Sequence, residues 1–168
     1  MPRAFIGLGS NLAHPRRQIA RAARALARLP ATRVVALSRN YLTAPRDPAV
    51  AQPDFINAVA EIDTALPPRA LLRALHVIER RQRRLRIPGT PRNLPRTLDL
   101  DLLTYAHVRL ATPTLALPHP RMHERAFVLV PLTQIARDAT VAGRGLARRW
   151  LRLAQDQRVV PTRGHALH

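Results

Sequence analysis

The chain has 168 residues, 46% hydrophobic and 23% charged, enough for one packed domain and far from the composition of a disordered chain. All 28 basic residues are arginines against 10 acidic ones, a net charge of +18, so a lysine-dependent P-loop and Schiff-base chemistry are both excluded. Zero cysteines remove disulfides, thiolate metal sites and thiol nucleophiles. The longest strongly apolar stretch, Ala126 to Leu132, falls well short of the ~20 residues that cross a bilayer.

Residues 4–8 predict a short buried strand, ended by the turn cluster Gly9-Ser10-Asn11. Ile19, Ala22, Ala23 and Leu26 recur at helical spacing behind Pro15 and predict a helix over 15–29, with arginines at most other positions. Residues 32–42 read as a strand, and the three prolines of 43–53 as a long loop. A second strand is expected over 55–62. A helix led by Pro67-Pro68 follows, with Leu71, Leu72, Leu75 and Ile78 on one face. A Pro-rich loop over 87–95 precedes a strand over 97–105. Helices are expected over 124–135 and 145–155. The boundaries expected are one domain over 1–157 and a loose tail over 158–168. The order strand–helix–strand–strand–helix–strand is that of an α+β, ferredoxin-like βαββαβ sandwich, mainly antiparallel, with extra C-terminal helices. Its first helices would cover one sheet face and leave the other for additions or ligand.

The sharpest local pattern is Thr97-Leu98-Asp99-Leu100-Asp101-Leu102. On a strand the leucines point to one face, and Asp99 and Asp101 project together from the other, about 6–7 Å apart. Two such carboxylates suit Mg²⁺, which takes one or two carboxylates and leaves its other positions to water and phosphate oxygens. The same pattern also fits a solvated face whose acids pair with arginines. Arg84, Arg86, Arg92 and Arg96 flank the 87–95 loop, and their planar forks match phosphate oxygens. Glu79 lies on the apolar side of its helix, where a carboxylate needs a partner; an arginine pair and a ligand role fit equally. Phe55 and Phe127 sit in polar surroundings and could stack on a flat heterocycle whose edge Asn57 would read, although isolated phenylalanines are commonly core. His119, between two prolines, is placed to donate to a phosphate.

Taken in order, Gly9-Ser10-Asn11, Thr43 with Pro45, Gln52-Pro53-Asp54-Phe55-Ile56-Asn57-Ala58, Glu79 with Arg84 and Arg86, Pro95-Arg96 before Asp99 and Asp101, and Pro118-His119 with Arg125 and Phe127 form a specific series. Over residues 4–135 the chain resembles the 6-hydroxymethyl-7,8-dihydropterin pyrophosphokinases of folate biosynthesis. The resemblance implies transfer of pyrophosphate from ATP to the hydroxymethyl group of a reduced pterin, with release of AMP. It implies two Mg²⁺ ions at Asp99 and Asp101, and charge stabilisation by Arg84, Arg92 and Arg96. ATP would be held by Glu79, Arg84, Arg86, Arg96 and His119. The pterin would lie between Phe55 and Phe127, its edge read by Asn57 and by the backbone near Thr43, Pro45 and Arg46. The family's Arg-Trp-Gly-Pro-Arg stands here as Arg92-Asn93-Leu94-Pro95-Arg96. The Met1-to-Gly7 stretch has no secretory h-region, so a cytoplasmic protein is expected. ATP and the pterin are the expected partners, and a monomer the expected state. No membrane is expected as a partner. The alternatives are a homologue that binds without turnover and, since net +18 suits phosphate backbones, a basic ferredoxin-like nucleic-acid-binding module. Against that module, and so against nucleic acid as a partner, stands the lack of an aromatic-rich RNA-binding pattern on any strand.

Overall fold

A computed structural model describes residues 1–45, 51–82 and 97–163. Its centre is β1 (Arg3–Ser10), which pairs antiparallel with β4 (Phe55–Thr64) on one side and β5 (Asp99–Tyr105) on the other. Beyond β4 lie β2 (Thr32–Leu37) and β3 (Tyr41–Thr43). The helices α1 (Pro15–Ala27) and α2 (Pro68–Arg81) both begin on proline, whose fixed φ and missing N–H suit a first turn. Each buries one apolar stripe: Ile19, Ala22 and Leu26 from α1, Leu71, Leu75 and Ile78 from α2. These pack on Ile6, Leu8, Ala58, Ile62 and Leu100 from one sheet face. The α+β, ferredoxin-like order βαββαβ is therefore present, with β2 and β3 together filling the second strand position.

The opposite face is half covered. Two small hairpins follow β5, joining β6 (Leu110–Ala111) to β7 (Ala116–Leu117) and β8 (Thr140–Val141) to β9 (Gly145–Leu146). Between them α3 (Ala126–Ile135) lays Leu129 and Leu132 on Phe5, Val59 and Leu103. This explains why β4 is buried along nearly its whole length, on both faces. Part of the second face thus receives an addition and the rest stays open.

Four boundaries differ from the sequence reading. The strand expected over 32–42 breaks at Ser38, whose amide donates to the Val59 carbonyl while its hydroxyl accepts from the Val59 N–H; that side chain occupies a ladder position. The helix expected over 124–135 starts as a 3-10 turn, Met122–Glu124, interrupted by Arg125 in extended conformation. The C-terminal helix shrinks to α4 (Ala147–Trp150) and a 3-10 turn, Leu151–Ala154. Within the expected loose tail, β10 (Val159–Pro161) pairs with β3, since β3 offers an open edge there.

Candidate active site

The open part of the sheet is floored by glycine. Gly7 and Gly9 point to the same face of β1, and across the ladders Gly9 stands between Asn57 and Asp99 while Gly7 stands between Val59 and Asp101. A side chain at Gly9 would put its Cβ 2.9 Å from Asn57 Oδ1; at Gly7 it would meet Leu103 and Asp101. The missing side chains leave a trough between an amide side and an acid side. The trough opens into a cleft of about 530 Å³ lined by Thr43, Pro45, Gln52, Phe55, Asn57, Asp99, Asp101, His119, Arg121, Arg125 and Phe127.

On the acid side, Leu98, Leu100 and Leu102 are buried, and Asp99 and Asp101 alternate with them as half-buried groups facing the cleft. Glu79 is 1% exposed and accepts the Leu100 N–H at 3.3 Å, so it braces β5 from the helical side and does not line the cleft among the described residues. His119 follows a cis Leu117–Pro118 bond, and its N–H is tied to the Leu103 carbonyl at 2.7 Å. Its Nδ1 accepts from the Arg121 N–H at 3.3 Å, which leaves Nε2 as the donor of the neutral ring. Burial first, and then the charge of Arg125, lower the His119 pKa to about 4 against the opposing pull of Asp99.

On the amide side, Asn57 Nδ2 donates to Thr43 Oγ1 at 2.6 Å, which leaves the threonine hydroxyl proton free for an acceptor in the cleft. Asn11 Nδ2 donates to Gln52 Oε1 at 2.7 Å and to the Pro53 carbonyl at 3.0 Å, pinning the loop just before Phe55. The Arg125 guanidinium lies 5.5 Å from the Phe127 ring centroid.

The structure therefore brings together Asp99, Asp101, His119, Thr43, Pro45, Phe55, Asn57 and Phe127. Arg46, Arg84, Arg86, Arg92 and Arg96 lie outside the described residues. Gly7, Gly9, Gln52, Arg121 and Arg125 were not predicted as site residues. The two glycines had a signal, their period-2 spacing on one strand face. Among the described residues no group of three or more His, Asp or Glu side chains forms a metal cage.

Comparison with known proteins decides the family. The family model for 7,8-dihydro-6-hydroxymethylpterin-pyrophosphokinase (HPPK) matches residues 5–137. The chain belongs to this family. The 2-amino-4-hydroxy-6-hydroxymethyldihydropteridine pyrophosphokinase of Pseudomonas aeruginosa is 50% identical over 136 residues, 81% of this chain and 82% of that relative. The enzyme of the same name from Methylorubrum extorquens is 42% identical over 143 residues, covering 85% and 88%. In structure the chain is similar to a Plasmodium falciparum HPPK-DHPS with pteroate, at a TM-score of 0.69 and 12% identity. That match covers 90% of this chain and 42% of the longer protein, and it shows the fold.

Proposed function

We propose that this cleft transfers pyrophosphate from ATP to the hydroxymethyl group of 6-hydroxymethyl-7,8-dihydropterin, in folate biosynthesis. The family's reaction is this chain's reaction. The supporting observation is the cleft itself: an acid pair and an amide-and-aromatic wall facing each other across two glycines. A trough without side chains lets a hydroxymethyl group from one side approach a phosphate held on the other.

The pterin ring belongs between Phe55 and Phe127, which offer aromatic faces. Asn57 Oδ1 and the Thr43 hydroxyl present an acceptor and a donor to its edge. Asp99 and Asp101 are hard oxygen donors side by side at the phosphate end, a donor set that fits Mg²⁺. They would hold it, two ions in our reading, and bound Mg²⁺ would neutralise charge on the ATP phosphates. His119, neutral at pH 7, donates from Nε2 to a phosphate oxygen. Arg121 and Arg125 add charge from the same wall. Arg84, Arg86, Arg92 and Arg96 complete the phosphate side in this reading, and Arg46 the pterin side.

The hydroxymethyl oxygen forms a bond to the β-phosphorus. The bond from that phosphorus to the oxygen shared with the α-phosphate breaks, AMP leaves, and the hydroxyl proton passes to solvent. Such a transfer asks mainly for positioning and charge compensation. We read the protein as a cytoplasmic monomer. No helix among the described residues is long and apolar enough to cross a membrane. The test is AMP release from ATP with Mg²⁺ and the pterin alcohol. The reading requires release that depends on the alcohol. Binding of both ligands without AMP would identify a non-catalytic homologue.

A further inference from the structure

The helices that cover the closed face of the sheet carry an arrangement the reaction does not use. Arg17, Arg21, Arg24 and Arg28 are all exposed and recur at i, i+4, i+7 and i+11 along α1 and its C-cap, one stripe about 16 Å long. On α2 the exposed Arg69, Arg73 and Arg80 repeat that spacing, with His76 at the intervening position. α1 contains no acidic residue, and the single one of α2, Glu79, is buried. Among the described residues Arg3 pairs with Glu61 and Asp138, and Arg33 with Asp63. None of the seven stripe arginines makes an ion pair there.

Part of this placement works against the helices that carry it, although Arg24 and Arg80 in the last turns suit the dipole. Like charges four residues apart, as in Arg17–Arg21, Arg24–Arg28 and Arg69–Arg73, destabilise a helix by a few tenths of a kcal/mol per pair. Arg16, Arg17 and Arg69 sit in first turns, where the helix dipole is already positive and neither helix has an acidic residue. A codon bias explains many arginines, but it does not by itself leave an arginine stripe on each helix with no carboxylate exposed on either one. An anionic partner relieves the repulsion.

We infer that the outer face of α1 and α2 binds the phosphate backbone of a nucleic acid strand without reading its bases. The α1 stripe presents several guanidinium forks in a row, and such forks match phosphate oxygens. Neither helix has a Phe, Tyr or Trp to stack on a base. None of the exposed large hydrophobic side chains lies on either helix, so a bilayer would gain no inserted group. The sequence expectation against nucleic acid rested on missing base-stacking aromatics, and a backbone contact needs none. The cleft opens on the opposite sheet face, so both ligands can be held at once.

The test follows binding of a labelled, mixed-sequence ~20-nucleotide single strand to the full chain by anisotropy over a salt series. Arg17→Gln/Arg21→Gln/Arg24→Gln/Arg28→Gln keeps helix propensity. It should flatten the slope of log K against log salt by about 3, at ~0.7 per lost contact, weaken binding at least ~10-fold, and leave AMP release unchanged. Arg69→Gln/Arg73→Gln/Arg80→Gln is the second variant, with a slope change of about 2. Unchanged slopes and affinities in both variants would overturn the inference. So would tighter binding, per unit charge, to anionic-lipid vesicles or to polyglutamate than to the oligonucleotide.

Discussion

Leu100 and Asp101 are consecutive residues with opposite duties. The leucine is 2% exposed and packs under α2, whereas the aspartate faces the cleft. Leu100→Ala should cost about 3 kcal/mol of stability through lost burial and the cavity left behind, read from chemical denaturation. Phe55→Ala should raise the pterin Kd at least ~10-fold while changing the ATP Kd less than ~3-fold, because stacking contributes on the order of 1 kcal/mol beyond area burial. Equal losses in calorimetric titrations of the two ligands would misplace the pterin. His119 makes stability depend on pH. Its folded pKa of about 4 lies below the unfolded value near 6.5, so between those values the unfolded chain binds the extra proton and stability falls as pH falls. In EDTA, without nucleotide, the wild type should lose on the order of 2 kcal/mol from this group between pH 7.5 and 5. The His119→Gln variant should lack that part of the loss. At this scale the acid pair was legible because strand alternation is strict. Arg121 was not, because nothing in 28 similar residues says which ones the fold turns inward; Arg125 stood in the family series but without an assigned role.

The elements around the cleft depend on distant parts of the chain. α3 has no capping side chain of its own. Gln157 supplies one instead, accepting the Ala126 N–H at 2.9 Å and donating to the Glu124 carbonyl at 2.7 Å. Two residues later β10 begins and covers the β3 edge that carries Thr43. Removing residues 158–168 uncovers that edge and should raise the pterin KM several-fold with little change in kcat. An unchanged KM would mean that β10 plays no part in holding Thr43. β1, α1, β4 and α2 could be read from periodicity, since each has a long apolar stripe. The C-terminal pieces are only two to four residues long, and long-range pairing defines them. The break at Ser38 escaped for a related reason: a hydroxyl standing in for a ladder amide leaves no mark on hydrophobic patterning.

At the scale of the whole molecule the sheet divides the charge chemistry. One face carries α1 and α2 with their outward arginines; the other carries the carboxylates of Asp99 and Asp101 above a glycine floor. The order of elements was legible from residues 4–105. The division of labour between faces was partly so: helices were expected on one face and ligand or additions on the other. What covers the second face was not: a helix was expected over 124–135, but α3 carries no apolar stripe set against a polar face that would say where it packs, and it lies on Phe5, Val59 and Leu103. The most direct test is the rate of AMP formation by Asp99→Asn and Asp101→Asn, with thermal unfolding as the control for folding. Each should lose at least ~10²-fold in rate, as expected when a preorganised electrostatic partner of the reacting phosphates is removed, and keep its melting temperature within a few degrees. Wild-type rates in both variants would contradict the assignment of the acid pair to pyrophosphate transfer.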